Sequence, residues 1–363
     1  MTLDLLQVRN ISKHYTVSKS LITRHKQVLR AVDDVSFSIK KGETLALVGE
    51  SGCGKSTTAR LVMRLIELTG GSVYYEGTDL VELSPGALRR FRQHMQIIFQ
   101  DPYASLNPRM TVAQTLEEPM IINDLASSAY RKSRVEEVLA QVGLSGGHAH
   151  RFPHEFSGGQ RQRVNIARAL MLQPSLVICD EPVSALDVSI QAQIINLLSS
   201  LQEQLGLSFL FISHDLAVVK HIADRVAVMY LGKIVEIADK KDFFITPRHP
   251  YSRALLSAIP SPNPKNRLAR LPLSGEIPNP INIPSGCHFH PRCPYSQELC
   301  RTIIPTLKPT HSGTSVACHL VDNLPAWKSA EKHVSPFSAC AQKRLSVYAA
   351  KTTSNNMSNS STT

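Results

Sequence analysis

Length, composition and charge set the first limits on this chain. Its 363 residues are 42% hydrophobic and 19% charged, which is typical of a folded protein with one large domain and a smaller addition. No apolar run approaches the ~20 residues of a membrane span, and residues 1–10 lack a signal peptide's pattern, so we expect a cytosolic protein. The net charge is +11, but the basic residues are scattered, and no arginine-rich helix indicates nucleic-acid binding.

The first part of the chain alternates between strand and helix patterns. Residues 5–8 and 35–39 predict strands, and an uninterrupted apolar run predicts another at residues 44–48. A helical period then covers residues 55–68, and residues 73–75 predict a further strand. This strand–helix alternation indicates an α/β domain.

Residues 49–56 read Gly-Glu-Ser-Gly-Cys-Gly-Lys-Ser, the motif of a phosphate-binding loop, and they lie between a predicted strand and a predicted helix. The glycines let backbone N–H groups point at phosphates, and the helix N-terminus adds its positive dipole end. Lys55 is expected to reach the β- and γ-phosphates and Ser56 to bind Mg²⁺. The residues predicted to contact a nucleoside triphosphate here are Gly49, Glu50, Ser51, Gly52, Cys53, Gly54, Lys55, Ser56 and Thr57.

Two later apolar runs lead into polar side chains that could bind a metal ion or take part in catalysis. Residues 176–180 show no alternation, as in a strand buried on both faces, and end in Asp180 followed by Glu181. Asp180 is expected to hold Mg²⁺, and Glu181 to polarise the attacking water. His214 comes just after a second apolar strand, residues 209–212, so it should lie at the same sheet edge, where open α/β sheets bind their ligands.

Helical patterns occupy much of the middle of the chain. Apolar residues recur with a helical period between residues 85 and 164, and residues 131–142 form an amphipathic helix that Gly143 would end. Residues 190–205 predict another helix, ended by Gly206.

The composition changes near the C-terminus. Residues 226–230 and 233–237 predict a hairpin, after which prolines become dense from Pro247 onward, as in a loop-rich extension. Residues 343–363 are rich in Ser, Thr and Asn and are expected to be disordered.

A second anion-binding corner appears at residues 156–162, Phe-Ser-Gly-Gly-Gln-Arg-Gln, just before a predicted helix at residues 163–172. One chain cannot easily place two such corners on one triphosphate. The sequence therefore favours a dimer in which each subunit offers this corner to its partner's nucleotide.

These motifs together resemble the ATPase subunit of ATP-binding-cassette (ABC) transporters over residues 4–320. The resemblance implies a P-loop NTPase cassette, with a mixed-sheet core, an N-terminal antiparallel β subdomain and a helical subdomain near residues 85–165. It implies catalytic roles for Glu181, His214 and Gln100, and Mg²⁺ binding by Ser56, Asp180 and Gln100. Further contacts that it implies are adenine stacking on Tyr15, a dimer contact at Asp187, and ATP contacts in trans from Ser157, Gly158, Gly159 and Gln160.

A narrower resemblance points to peptide importers. Residues 101–109, 248–256 and 285–294 are similar to the dipeptide and oligopeptide branch, and the chain looks most like the second of the paired dipeptide-importer ATPases. The implied function is ATP hydrolysis that drives di- or oligopeptide uptake, with nickel, glutathione or another small solute as alternative cargo. A remoter alternative is a soluble ABC ATPase acting on DNA or the ribosome, although such proteins usually carry two cassettes or a coiled-coil insertion.

The same resemblance implies partners, a location and a domain division. We expect a second homologous ATPase subunit, two membrane permeases, an extracytoplasmic solute-binding protein and no nucleic acid, with the chain on the cytoplasmic face of the cell membrane. The expected domains are an ATPase domain at residues 4–246, a C-terminal extension at residues 247–320, and a largely disordered tail at residues 321–363.

Four cysteines cluster in the predicted extension, with spacing C-x₅-C-x₆-C-x₁₇-C. Paired C-x₂₋₄-C ligands typical of structural zinc are absent, and disulfides are unexpected in a reducing cytosol. Spacing alone leaves an iron–sulfur cluster, zinc and unmetallated thiols open. The resemblance to peptide-importer subunits implies a structural [4Fe–4S] cluster on Cys287, Cys293, Cys300 and Cys318.

Overall fold

The computed structural model describes residues 4–17, 27–259, 275–276, 278–310 and 313–327. In these residues the strands form two sheets, and no helix is long and apolar enough to cross a membrane. The predicted disorder of residues 343–363 lies outside the described residues.

The N-terminal sheet is antiparallel, with the strand order β2-β1-β4-β5. Its bulged long pair, β1 and β2, buries alternate apolar side chains such as Leu6, Val8 and Ile39, as expected for a sheet with one face on the core. The strands are β1 (Asp4–Val17), β2 (Gln27–Lys40), β4 (Gly70–Tyr75) and β5 (Thr78–Asp79). This sheet confirms the antiparallel subdomain that the resemblance implied.

The larger sheet has the order β11-β12-β10-β9-β3-β8-β7-β6, in which β9, β3, β8, β7 and β6 run parallel. Strands β3, β7 and β8 are buried at every position, which explains their uninterrupted apolar sequences. The strands are β3 (Thr44–Val48), β6 (Met95–Ile98), β7 (Leu176–Asp180), β8 (Ser208–Ser213), β9 (Arg225–Tyr230), β10 (Lys233–Asp239), β11 (Lys308–Pro309) and β12 (Ser315–Val316).

Helices connect these strands and cover the larger sheet. Residue Asp187 caps the long α6 by accepting the N–H of Ile190, and Gly206 ends it at φ 65°. The helices are α1 (Lys55–Val62), α2 (Pro85–Phe91), α3 (Val112–Ile122), α4 (Ser128–Gln141), α5 (Gly158–Leu170), α6 (Val188–Leu205), α7 (Leu216–Ile222), α8 (Lys240–Ile245), α9 (Pro250–Ser257) and α10 (Glu298–Thr302).

Most predicted elements are confirmed, and two predictions were wrong. The helix expected over residues 55–68 ends at Val62, because Arg64 adopts a left-handed backbone with φ 49°. The region expected to be helical from residue 85 to 164 contains β6. This strand pairs in parallel with β7, with Met95 opposite Leu176, so tertiary pairing overrides the local pattern.

The C-terminal segment, by which we mean residues 278–310 and 313–327, is integrated with the core. Strand β12 adds to the sheet by pairing Ser315 with Ile237 of β10. Phe289 is buried with Tyr230 and Tyr251, and Trp327 packs against the same apolar cluster. Trp327 therefore packs on the core, although the sequence placed it in the tail.

Candidate functional site

The predicted catalytic side chains meet at one edge of the larger sheet. The parallel strands β3, β6, β7 and β8 all end there, and their carboxyl ends are followed by the phosphate loop, Gln100, Glu181 and His214 respectively. This placement is the one expected for a ligand site in an open α/β sheet.

The phosphate loop needs glycine for two separate reasons. A Cβ on Gly49 would lie 2.2 Å from the carbonyl oxygen of Met229, which is a backbone atom that cannot move aside. Gly52 and Gly54 have φ angles of 78° and 110°, which favour glycine. Helix α1 begins directly after Gly54 with no side-chain cap on its N-terminus, and such an end favours a bound anion.

Lys55 is buried at the base of this loop. Its Nζ donates hydrogen bonds to the carbonyl oxygens of Gly49, at 2.8 Å, and Glu50, at 3.0 Å. A buried ammonium needs such partners because unpaired charge is costly inside a protein. Its position at the first turn of α1 places it beside the space that phosphates would fill.

Ser56 and Asp180 form an oxygen-rich pair, since the Ser56 hydroxyl donates to Asp180 Oδ1 at 2.8 Å. Burial raises the pKa of Asp180, the hydrogen bond from Ser56 lowers it, and the nearby Glu181 raises it further. A hydroxyl and a carboxylate are donors that Mg²⁺ prefers, and Mg²⁺ on a nucleotide takes its remaining ligands from phosphate and water. The side chains present therefore fit the magnesium ion expected here.

Glu181 lies in a strained position between two polar partners. Its backbone is left-handed, with φ 48°, a conformation that clusters at functional sites. Gln100 Nε2 donates to Glu181 Oε2 at 2.9 Å, and His214 Nδ1 lies 3.3 Å from Oε1. The structure thus brings the three predicted catalytic side chains into direct contact.

A cavity of about 560 Å³ opens in front of these groups. Tyr15, at 39% exposure, lies on its wall, which is where a ring must be to stack on a base. Pro280, from the C-terminal segment, also lines it. The cavity residues are Tyr15, Leu29, Ala31, Ser51, Gly52, Gly54, Lys55, Ser56, Thr57, Gln100, Glu181, His214 and Pro280.

The residues of the predicted second anion corner lie at a helix start, as expected, but on another part of the surface. Ser157 and Gln160 make a reciprocal capping box at the start of α5, and a Cβ on Gly159 would lie 2.6 Å from Ile190 of α6. Ser157, Gly158, Gly159, Gln160 and Asp187 are not among the described residues that line the cavity. In one chain, therefore, the structure does not bring the two corners together.

The four clustered cysteines are free thiols in the described residues. The Cys287 N–H donates to the Cys300 carbonyl at 2.8 Å. Burial, with a smaller effect of the other cysteines, raises the pKa of Cys287 to about 11 and that of Cys293 to about 12. Four thiols are a donor set that suits iron–sulfur or zinc. Within the described ranges, however, no three His, Cys, Asp or Glu side chains are placed to hold a metal ion. The predicted cluster stays a prediction.

Three residues at this site were missed as functional candidates. Arg292 and Tyr251 both bind Glu50 of the phosphate loop, and Pro280 lines the cavity. All three lie more than 200 residues after Glu50, and no spacing rule connects them with the loop. Arg292 and Tyr251 stand inside the stretches that resemble peptide importers, which was the one available signal.

Comparison with known families gives two matches. The family described as ABC transporter matches residues 32–184, which contain the phosphate loop, the second anion corner and the Asp180-Glu181 pair. The family described as the oligopeptide/dipeptide transporter C-terminal region matches residues 235–300.

Close relatives cover nearly the whole chain. A probable peptide ABC transporter ATP-binding protein of Sinorhizobium fredii is 52% identical over 332 residues, which is 92% of this chain and 93% of the relative. The dipeptide transport ATP-binding protein DppF of Escherichia coli is 53% identical over 318 residues, 88% of this chain and 95% of the relative.

A solved structure agrees with the fold. A dimeric ATP-binding cassette in a post-hydrolysis state, bound to ADP and phosphate, superposes with a TM-score of 0.58 at 29% identity. The match covers 65% of this chain and 98% of that one.

Proposed function

This chain belongs to the ABC transporter family, in the branch of peptide-transport ATP-binding proteins, and we propose that it binds and hydrolyses ATP to drive import of di- or oligopeptides. The observation that carries the ATPase function is the meeting of Lys55, Ser56, Glu181, Gln100 and His214 around one cavity. Peptide cargo is supported by the names of the relatives, which are peptide and dipeptide transport proteins, and nickel, glutathione or another small solute is the alternative.

The proposed chemistry follows from these contacts. The uncapped N-terminus of α1 and the Lys55 ammonium bind the phosphates, and Tyr15 stacks on the base. Glu181 accepts a proton from the attacking water, while Gln100 and His214 hold its carboxylate in place. Magnesium, bound by Ser56 and Asp180 with Gln100 nearby, would neutralise charge on the β- and γ-phosphates.

Two copies, or this chain and a homologous sister, would complete the site. The corner at Ser157–Gln160 lies outside the cavity of its own chain, so we propose that it contacts the nucleotide of a partner subunit, with Asp187 at the contact. The dimeric relative bound to ADP and phosphate supports this arrangement.

A groove beside this site suits a permease subunit. It has a volume of about 210 Å³ and lies between the segment after Gln100 and the start of α5. Tyr103 is 60% exposed in it, with the Arg161 guanidinium 4.0 Å from its ring centre. Arg168 of α5 donates a hydrogen bond to the Ser105 carbonyl oxygen at 2.5 Å, so a displacement of the segment that carries Ser105 would be passed on to α5. We propose that a short cytoplasmic helix of a permease docks here.

Cross-linking tests this docking. A cysteine at Ser105 should cross-link to the permeases in assembled complexes, whereas one at Ser128, exposed on α4, should not. Equal labelling of both positions, with or without the permeases, would contradict the docking site.

For the cysteine-rich part, we propose a structural [4Fe–4S] cluster on Cys287, Cys293, Cys300 and Cys318, with zinc or free thiols as alternatives. The mutual proximity of these thiols supports it. When bound, a cluster would link parts of the C-terminal segment that have little apolar core of their own.

The proposed domain division follows the sequence. Residues 4–246 form the ATPase domain, with its helical part near residues 85–165, and residues 247–320 form the extension. With permeases and an external solute-binding protein as partners, and no nucleic acid, the assembly would lie on the cytoplasmic face of the inner membrane.

Uptake and hydrolysis together test the function. Cells that lack this chain should lose uptake of a labelled dipeptide and regain it with the wild-type chain but not with Lys55→Ala. The purified Lys55→Ala chain should also lose ATP affinity, since a charge contact with phosphate disappears. Normal dipeptide uptake without the chain would overturn the cargo, and ATP binding unaffected by Lys55→Ala would overturn the site.

A further inference from the structure

The phosphate loop has a partner that its motif does not require. Arg292 of the C-terminal segment donates to both carboxylate oxygens of Glu50, at 2.7 and 3.1 Å. The Arg292 side chain is 6% exposed and that of Glu50 is 23% exposed. A two-pronged arginine–carboxylate pair shielded from water combines strength with a fixed geometry. Glu50 is therefore held in one orientation.

A second contact fixes the backbone of the same residue. The hydroxyl oxygen of Tyr251, on α9, accepts the Glu50 N–H at 2.9 Å. The Tyr251 ring is fully buried, with ring centres 4.7 Å from Tyr230 and 5.3 Å from Phe289. Because these rings pack on one another, the hydroxyl has little freedom to leave Glu50.

The third contact connects this arrangement to the phosphate site. Lys55 donates to the carbonyl oxygens of Gly49 and Glu50. The Glu50 residue is thus held by Arg292 at its side chain, by Tyr251 at its N–H and by Lys55 at its carbonyl. A shift of Glu50 would move both the loop backbone and the group on which Lys55 rests.

We propose that Arg292 and Tyr251 are positioning residues for ATP: they hold Glu50, and with it the phosphate loop, in the shape that accepts a triphosphate. Helix α9 and the C-terminal segment thereby set the ATP affinity of a site built by residues much earlier in the chain. This inference rests on the assignment of residues 49–56 as the phosphate-binding loop, which Lys55→Ala tests separately.

The direct test is ATP affinity of the full-length chain with Mg²⁺, measured with a fluorescent ATP analogue and by competition with ATP. Arg292→Gln should weaken binding about tenfold, because the loop that binds the phosphates would no longer be held in one position. Arg292→Lys keeps the positive charge but cannot reproduce the two-pronged contact with both carboxylate oxygens of Glu50. Its ATP affinity should therefore lie between those of Arg292→Gln and the wild type. Arg301→Gln removes an exposed arginine of the same segment and should leave the affinity unchanged.

A double-mutant cycle shows whether the effect passes through Glu50. If it does, Glu50→Gln combined with Arg292→Gln should bind ATP no more weakly than either single variant. Steady-state hydrolysis should show a raised KM for ATP with kcat within about twofold of wild type. Additive losses in the cycle would contradict the coupling.

Thermal stability separates positioning from simple attachment. If Arg292→Gln lowers the melting temperature but leaves the ATP affinity and the KM unchanged, the Arg292–Glu50 pair only attaches the segment. That result would overturn the proposal. Should Arg292→Gln fail to fold, Tyr251→Phe removes one oxygen, keeps the packed ring, and must still weaken ATP binding. Unchanged binding in Lys55→Ala would instead overturn the loop assignment itself.

Discussion

The nucleotide edge and the C-terminal segment are built in opposite ways. At the nucleotide edge, each functional side chain follows the end of a buried parallel strand, so the sheet itself delivers Gln100, Glu181 and His214 to one place. The C-terminal segment contributes two short strands and little continuous apolar sequence. It is fixed by individual contacts, such as Arg292 with Glu50 and Phe289 in the aromatic cluster. The nucleotide edge should therefore keep its arrangement when the shape of a single side chain is changed. The C-terminal segment should depend on a few individual contacts.

The largest effect is expected at the nucleotide edge. Glu181→Gln should keep ATP binding and the fold but reduce turnover by about 10²–10⁴, since an amide cannot accept the proton of the attacking water. The measurement is steady-state ATPase activity of the assembled complex, where this variant should also accumulate closed dimers. Glu203→Gln, an exposed change of the same chemistry on α6, is the control. Wild-type turnover in Glu181→Gln would remove Glu181 from the mechanism.

The glycine at position 286 tests how strongly the C-terminal segment depends on one close approach between two parts of its backbone. Gly286 has φ 64°, and a Cβ there would lie 2.5 Å from the Cys300 carbonyl oxygen. Gly286→Ala should therefore cost about 2–4 kcal/mol of local stability, seen as faster amide exchange over residues 285–303.

The matched control separates the contact from the backbone angle. Gly313 has a similar φ of 77° but no atom within 4 Å of its Cβ position, so Gly313→Ala should cost about 1 kcal/mol. Equal exchange in the two variants would show that the approach to Cys300 does not hold the segment together.

The difference between the two regions also explains which features of the molecule could be predicted from the sequence. Asp180, Glu181 and His214 were placed correctly because each follows an apolar run, and strand ends in a parallel sheet share one edge. Gln100 needed the family resemblance, since β6 lay within a helical pattern. The contacts of Glu50 with Tyr251 and Arg292 span 201 and 242 residues, and no local pattern encodes pairs so far apart. The nucleotide edge was therefore predictable, and its support by α9 and the C-terminal segment was not.

The proposed cluster gives the next test of the comparison. Anaerobically purified protein should be brown and contain about four irons per chain if the centre is a cubane. Changing any one of Cys287, Cys293, Cys300 and Cys318 to Ser should bleach it and loosen the segment, while hydrolysis partly survives.

Two cysteines outside the set serve as controls for this test. Cys340→Ser, beyond the described residues, should leave the iron content unchanged, and so should Cys179→Ser, which lies in the core strand β7. Stoichiometric zinc without iron in anaerobic protein would replace the cluster with a structural zinc site.

The smallest expected effect concerns pH and a buried histidine at the junction of the two regions. His249 is 1% exposed, its backbone N–H donates to Glu236, and its ring Nδ1 accepts the backbone N–H of Tyr251 at 3.0 Å. Burial lowers its pKa to about 3. Between that value and the ~6.5 of an unfolded chain, only the unfolded state takes up a proton here, so acid favours unfolding.

The contribution of neutral His249 to the free energy of unfolding should thus be fully present above pH ~6.5. It should decline as the pH falls toward ~3, by at most ~1.4 kcal/mol per pH unit. His249→Gln retains a hydrogen-bond acceptor but cannot take up a proton, so its melting temperature should fall less steeply between pH ~6.5 and ~4.5. His221→Gln removes an exposed imidazole and serves as the control. If His249→Gln and wild type lose stability in parallel as the pH falls, the buried imidazole does not set the acid sensitivity of this junction, and the support of the nucleotide edge by α9 is independent of pH.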